Sequence, residues 1–522
     1  MAVRLASMAL GLGLAVSLPA AGQQASVSAR ATLRADRPGP PIHKEIFGQF
    51  AEHLGTGIYG GVWVGPESKI PNVRGIRKDV VAALRNLKVP VVRWPGGCFA
   101  DEYHWREGVG PRATRPVKVN TNWGGVTESN AFGTHEFMDF AEQIGADAYV
   151  TGNVGSGTPQ EMAEWVEYMT APAGSLAKER ARNGHAAPWK LPYFGIGNEL
   201  WGCGGNMRVE YAVDVTRRYS TFIKVPFGTR TMKMASGSSD NLEPEAEYIW
   251  TEGMMKDASR RFDGFGIHYY TFPDGINNKQ SATDFDETSW ARTMAETLKI
   301  DGYIQKHAAI MDKYDPKKRV AMAVDEWGTW WAATPGSPRG FLQQQNTMRD
   351  AVVAALNIDI FTRYGDRLRM ANIAQMINVL QAMILTDGPK MVLTPTYHVF
   401  EMYKPFQDAV SLPIELTTPD YEQGGYKVPA VSAAAARGKD GLTYVALTNV
   451  DPRKPATLTM TIAGATATQV SGRVLTAPTI QSYNDFAHPE VVRPAAFTGA
   501  TLSGETLRVA LPAHAVVVLT LR

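Results

Sequence analysis

Cysteine is nearly absent from this chain: its 522 residues contain two, Cys98 and Cys203. That count excludes a small scaffold held together by disulfides. There is no CxxC, no HExxH and no His/Cys cluster at ligand spacing, so neither a catalytic metal nor another cofactor is expected. An excess of one charge sign is also missing. Lys and Arg total 53 against 51 Asp and Glu, a formal net charge of +2, which gives no electrostatic case for nucleic acid or an anionic membrane as partner. No solenoid-type repeat is visible, and no GxGxxG follows the first apolar run to signal a dinucleotide. Beyond residue 22, no stretch reaches the ~20 apolar residues of a spanning helix.

The first 22 residues have a different texture. Arg4 gives a weak basic start, Leu5 to Leu18 is apolar apart from two serines, and Ala20-Ala21-Gly22 supplies small residues before Gln23. This reads as a signal peptide with cleavage near Gly22. The expected location is therefore periplasmic or secreted, with no membrane association once the leader is removed. Export would permit a disulfide. A large fold does not need one, and the sequence leaves open whether Cys98 and Cys203 are bridged.

The length exceeds the size at which a single core stops growing, so two domains are expected. From residue 42 to 395, short apolar strands alternate with helix-like stretches. The expected strands are 46–51, 89–94, 147–153, 193–197, 233–236, 265–269, 320–325 and 372–379. Between them, residues 76–87, 135–144, 159–169, 209–223 and 346–361 carry apolar side chains at three- and four-residue spacing. Eight alternations imply a parallel sheet closed as a (β/α)₈ TIM barrel. After Pro395 the periodicity changes to short β-branched or alternating segments, such as 444–448, 456–462 and 515–521, separated by turn signals. Residues 396–522 are expected to form an all-β, jelly-roll-like sandwich. Residues 26–41 would supply an N-terminal strand to it.

Two glutamates carry most of the chemistry. Glu199 in Gly197-Asn198-Glu199 and Glu326 in Asp325-Glu326-Trp327-Gly328 each end an apolar run, 127 residues apart. By strand order they fall on the fourth and seventh strands, at the C-terminal ends where barrel enzymes keep their catalytic groups. Glycosidic cleavage needs such a pair: one carboxyl protonates the leaving oxygen and the other attacks the anomeric carbon. Trp201, Trp327, Trp330 and Trp331 lie close by in sequence, and aromatic faces suit the C–H faces of sugars.

Eight segments in order then resemble glycoside hydrolase family 51, the α-L-arabinofuranosidases. They are Phe47-Gly-Gln-Phe-Ala-Glu-His-Leu54, Ile58-Tyr-Gly-Gly61, Val92-Arg-Trp-Pro-Gly-Gly-Cys98 and Phe132-Gly-Thr-His-Glu136, followed by Gly197-Asn-Glu-Leu-Trp-Gly-Cys-Gly204, His268-Tyr-Tyr270, Asp325-Glu-Trp-Gly328 and Ala374-Gln-Met-Ile-Asn378. The resemblance implies that Glu199 is the acid/base and Glu326 the nucleophile. It implies that Glu52 holds furanose hydroxyls, Arg93 fixes carboxylate geometry, Asn198 binds the 2-hydroxyl, Tyr270 orients the nucleophile and Gln375 contacts the sugar. Cys98 stands where many members have Asn, so that contact is expected to be apolar or shape-based. Trp123, His268 and Trp327 form a second rank of candidates.

The implied activity is a retaining, exo-acting α-L-arabinofuranosidase. Its partners would be arabinoxylan, arabinan and their oligosaccharides, and its assembly a homo-oligomer, often a hexamer in the family. An endo-β-glucanase or β-xylosidase on the same scaffold is the alternative. A non-catalytic carbohydrate-binding protein is a third reading, opposed by the presence of both glutamates.

Overall fold

The computed structural model describes residues 26–522 apart from Pro244. Residues 1–22, read above as an export leader, lie outside the described residues. Eight parallel strands close into a barrel in sequence order. We number them β1 (Gly48–Phe50), β2 (Val91–Trp94), β3 (Asp147–Gly152), β4 (Tyr193–Ile196), β5 (Met232–Ser239), β6 (Gly264–Thr271), β7 (Ala321–Thr329) and β8 (Leu368–Ile373). The barrel is plugged near its base by a buried cluster of Val91, Tyr149, Met234, Ala323 and Met370, from β2, β3, β5, β7 and β8.

The expected strands overlap these, with one displacement. The eighth begins at Leu368 and ends at Ile373, whereas the sequence suggested 372–379. Past Ile373 the chain doubles back, with Gln375 N–H donating to Val379 O and Met376 N–H to Phe50 O. The apolar run continues there because the turn is buried, not because it is extended.

The helices follow their apolar periodicity. Pro159–Thr170 opens with proline in its first turn, and the Thr158 hydroxyl accepts from Glu161 N–H as its N-cap. Met348–Phe361 is apolar around most of its circumference, and every one of its residues is buried. Such a helix needs cover on all sides. It lies against the barrel on one side and faces the β-domain on the other, where Asp359 accepts from Tyr403 Oη (2.8 Å) and Ser432 Oγ (2.7 Å).

The β-domain consists of two sheets. One holds, in spatial order, Ile414–Thr417, Val27–Arg34, Ala456–Ala463, Thr506–Leu511 and Ala500–Ser503. The other centres on Val431–Arg437, Thr443–Asn449, Val516–Leu521 and Val470–Leu475. Residues 456–463 alternate buried and exposed, and the buried set (Leu458, Met460, Ile462) meets Val445, Leu447, Val517 and Leu519 in the sandwich core. The strand Val27–Arg34 runs parallel to Ala456–Ala463, so the described residues run from the sandwich through the barrel and back.

Trp290, on the helix Glu287–Tyr314, is fully buried, and its indole N–H donates to Val450 O of the β-domain at 3.0 Å. Trp290→Ala removes that packing and leaves a buried carbonyl without its donor. The expected loss is about 3–5 kcal/mol, read as an earlier urea midpoint. A wild-type midpoint would show that the junction does not depend on this side chain.

Candidate active site

The site sits at the C-terminal mouth of the barrel and is built from strand ends. The Gly197-Asn198-Glu199 turn leaves β4 through Gly197 at φ +71°, where a Cβ would meet Leu200 at 2.7 Å and Val154 at 3.0 Å. Only glycine fits both the angle and the space. Asp101 braces this turn, accepting the N–H groups of Asn198 (2.8 Å), Val154 (2.7 Å) and Gly155 (2.8 Å). Burial still pushes the Asp101 carboxyl up to about 7. Its three backbone N–H donors act the other way and favour the carboxylate.

A bulge aims Glu326. Along β6 and β7, Ile267 pairs with Val324, but the next pair is His268 with Glu326, which leaves Asp325 as the extra residue. Ala323 and Asp325 point into the barrel. Strict alternation would turn Glu326 outward; the added residue resets the phase and turns it to the mouth. Gly266 provides the room below, since a Cβ there would lie 2.3 Å from Asp325 Oδ2. Asp325 accepts from Tyr149 Oη at 2.9 Å and Asn372 Nδ2 at 3.3 Å.

The same bulge overturns one candidate. Trp327, next along β7, points to the outside of the barrel and is fully buried against Phe361 and Phe400. It does not reach the pocket, because the residue after an inward Glu326 must face the helices. Trp331 is buried too, beneath the Arg349 guanidinium, whereas Trp330 lines the pocket.

The remaining candidates converge. Arg93, fully buried, donates Nη1–H to Glu326 Oε1 and Nη2–H to Asn198 Oδ1, both at 2.6 Å. Tyr270 Oη donates to Glu326 Oε2 at 2.8 Å. His268 Nδ1 lies 2.9 Å from Glu199 Oε1 and 3.6 Å from Glu326 Oε2. One oxygen from each of these glutamates and a ring nitrogen of His268 lie within 4.8 Å of one another. Glu52 accepts from Gln375 Nε2 (3.0 Å), Trp123 Nε1 (3.0 Å) and Phe99 N–H (3.1 Å). Cys98 and Cys203 form a disulfide. Cys203 Sγ is 3.6 Å from Glu199 Oε2, and because a disulfide sulfur carries no proton, that wall is apolar.

These groups enclose a cavity of about 200 Å³. Glu52, Cys98, Trp123, Asn198, Glu199, Tyr270, Glu326 and Gln375 line it, while Arg93 and His268 act from behind. Asn241, Ile276, Leu342 and Leu380 also line it. They come from loops in which no pattern marks them, and sequence reasoning missed them. Trp201 and Trp330 had a signal, as tryptophans flanking the two glutamates.

Charge is distributed unevenly across the site. Burial works against ionisation of Glu326, but His268 and Arg93 outweigh it and hold the carboxyl below its ordinary range. His268 is buried, which disfavours its cation, yet the Glu326 and Glu199 carboxylates raise it above the usual imidazole value. Glu52 goes the other way: burial first, and then the charge on Glu326, pushes it up to about 7. Burial and the same charge raise Tyr270 well above the phenol range, so it remains a donor.

Residues 83–289 match the model described as α-L-arabinofuranosidase 1 domain, and residues 325–515 match the α-L-arabinofuranosidase C-terminal domain. An intracellular exo-α-L-arabinofuranosidase of Bacteroides ovatus is 50% identical over 511 residues, 98% of each chain. The chain belongs to glycoside hydrolase family 51, the α-L-arabinofuranosidases. The family 51 arabinofuranosidase of Xanthomonas axonopodis pv. citri superposes with a TM-score of 0.93 at 60% identity, covering 95% of this chain and 100% of that one. An arabinose complex of the Thermotoga maritima α-L-arabinofuranosidase superposes at 0.83 with 25% identity, covering 94% and 99%.

The Bacteroides relative also corrects the reading of the N-terminus. It is an intracellular protein matched over nearly the full length, so the export signal and the periplasmic or secreted location are withdrawn. An apolar run preceded by a single Arg4 is too weak a basic start to define a leader.

His268→Gln tests the charge arrangement. Removing this positive neighbour of Glu326 lets its carboxyl rise. If Glu326 must be ionised in the free enzyme, the acidic limb of the kcat/KM–pH profile should move to higher pH. A uniformly lower profile with the limb in place would show that His268 does not set this charge.

Proposed function

We propose that this protein is a retaining, exo-acting α-L-arabinofuranosidase in which Glu326 is the nucleophile and Glu199 the acid/base. The observation that carries this reading is the approach of the two carboxylates to within 4.8 Å across the shared His268. Double displacement works at a separation of about 5–5.5 Å, whereas inversion needs about 6.5–9.5 Å to admit a water between the carboxyls.

In the first step Glu326 Oε attacks C1, the C1–O bond breaks, and Glu199 delivers its proton to the departing oxygen. In the second, Glu199 takes a proton from water. The hydroxide attacks C1, and the bond to Glu326 breaks, so two inversions give net retention. Arg93, Tyr270 and His268 hold Glu326 anionic and fixed. Arg93 also orients the Asn198 amide, leaving its Nδ2 for the 2-hydroxyl. Glu52, anchored by Gln375 and Trp123, takes the other ring hydroxyls.

A cavity of about 200 Å³ is smaller than the ~300–1,000 Å³ of drug-sized sites and suits one terminal pentose. This supports exo action on arabinofuranosyl groups of arabinoxylan, arabinan or their oligosaccharides. It weighs against an endo-glucanase, whose substrate has to lie across the site. We carry the family's homo-oligomeric assembly into the same reading. Sedimentation at the rate of a single chain would reject it.

Glu326→Ala should lower turnover of an aryl α-L-arabinofuranoside by more than about 10³-fold. Azide should rescue it with an arabinosyl azide of inverted configuration. Glu199→Ala rescued by azide should give the retained configuration, because azide then intercepts the glycosyl-enzyme. Ordinary activity in Glu326→Ala, or the opposite pair of configurations, would sink the assignment. Faster hydrolysis of aryl β-D-xyloside or carboxymethylcellulose would favour the alternative on the same scaffold.

A further inference from the structure

A second and larger cavity, of about 570 Å³, opens on the same face of the barrel. It shares its walls with the first. Leu54 lines the small pocket and Thr56 the large one; Ile276 and Ser281 divide likewise, as do Trp330 and Ala332, Leu342 and Gln343, and Gln375 and Asn378. Loops after β1, β6, β7 and β8 thus each serve both cavities. Leu342 and Gln343 are neighbours in the chain, and Trp330 and Ala332 are two apart, at most ~7 Å of extended chain. The far wall comes from the β-domain, through Tyr483 and Phe486.

The lining is chemically distinct from that of the first pocket. Hydroxyls and amides dominate, with Asp387 the one charged side chain among the described lining residues. Some of these groups are committed to the fold. Gln344 Oε1 accepts from Trp331 N–H, and Asn378 is bonded to Thr56 O and to Thr386. Among the described residues, the side chains of Thr56, Thr283, Thr334, Gln343 and Tyr483 have no such protein partner and remain available to a ligand. The walls are stiff: buried Arg349 donates to the carbonyl oxygens of Ser281 and Ala282 while lying 3.7 Å from the Phe285 ring centre and 3.6 Å from that of Trp331. A stiff-walled cavity with uncommitted hydroxyls, an amide, two aromatic rings and a single carboxylate has the chemistry of a carbohydrate site. It offers little to a phosphate or a peptide charge.

We propose that this cavity is a second carbohydrate subsite, which holds the neutral pentosan main chain of a polymeric substrate while a terminal arabinofuranosyl group occupies the catalytic pocket. The proposal rests on the activity assigned above. Catalysis needs only the small pocket, so the second cavity should affect polymers and not small glycosides.

Tyr483→Ala removes an aromatic wall, and Thr334→Trp fills the cavity from an exposed position, so the two variants act oppositely on its volume. Each should keep kcat/KM on an aryl α-L-arabinofuranoside within about twofold of wild type. Each should raise KM for arabinoxylan or branched arabinan about fivefold or more, the effect of one lost polar or aromatic contact. The two polymers separate a xylan-type chain from an arabinan-type one. An unchanged KM for both polymers in both variants would overturn the proposal, as would a parallel fall on the aryl glycoside and the polymers. Absence of arabinose release from the aryl glycoside by the wild-type enzyme would instead reject the activity, and this proposal with it.

Discussion

The active site depends on one guanidinium. Arg93 is buried under the mouth of the barrel, and its two terminal nitrogens reach Glu326 on one side and Asn198 on the other, both at 2.6 Å. A planar fork fixes direction as well as distance, so the seventh and fourth strands are set against each other by a side chain of the second. A lysine could neutralise Glu326 but could not hold both partners at once. Phe50, 4.6 Å below, fills the face of the guanidinium. Leaving either partner without it would strand a buried polar group, the costliest kind of loss in a protein interior.

Around this cation the barrel concentrates acid. Glu52, Glu326, Asp325 and Asp101 are all buried, and Glu199 nearly so. Arg93 and His268 are the cations facing them. The site divides a limited positive charge: His268 and Arg93 hold Glu326 below its ordinary range, while burial and the charge on Glu326 push Glu52 up to about 7. Two carboxyls lining one pocket are therefore shifted in opposite directions by burial and by the charges beside them. Enzymes that need an anion and an acid in one cleft exploit this behaviour.

Much of this was legible in the sequence for definite physical reasons. Parallel strands covered on both faces read as continuous apolar runs, which is why Tyr193–Ile196 and Ala321–Val324 stood out. A short polar motif ending such a run placed Glu199 and Glu326. The bulge at Asp325 left no trace, because one extra residue in a ladder depends on the partner strand. Trp327 was consequently turned the wrong way. The Cys98–Cys203 link joins residues 105 apart, and only the fold brings them together. Asn241, Leu342 and Leu380 lie in loops whose paths follow from packing, and the larger cavity depends on where the β-domain sits against the barrel.

The smaller pocket is blind, and that imposes an order of events. Arg93 lies behind its inner wall, and its sides include the disulfide, Tyr270 and Trp123, so the route in is also the route out. The severed chain lies in the mouth through which water approaches C1. The chain must therefore withdraw before the glycosyl-enzyme is hydrolysed, and the freed arabinose must leave before another terminus can enter. Such an enzyme cannot thread along a polymer; each encounter removes one residue, and the next begins with a new approach from solution.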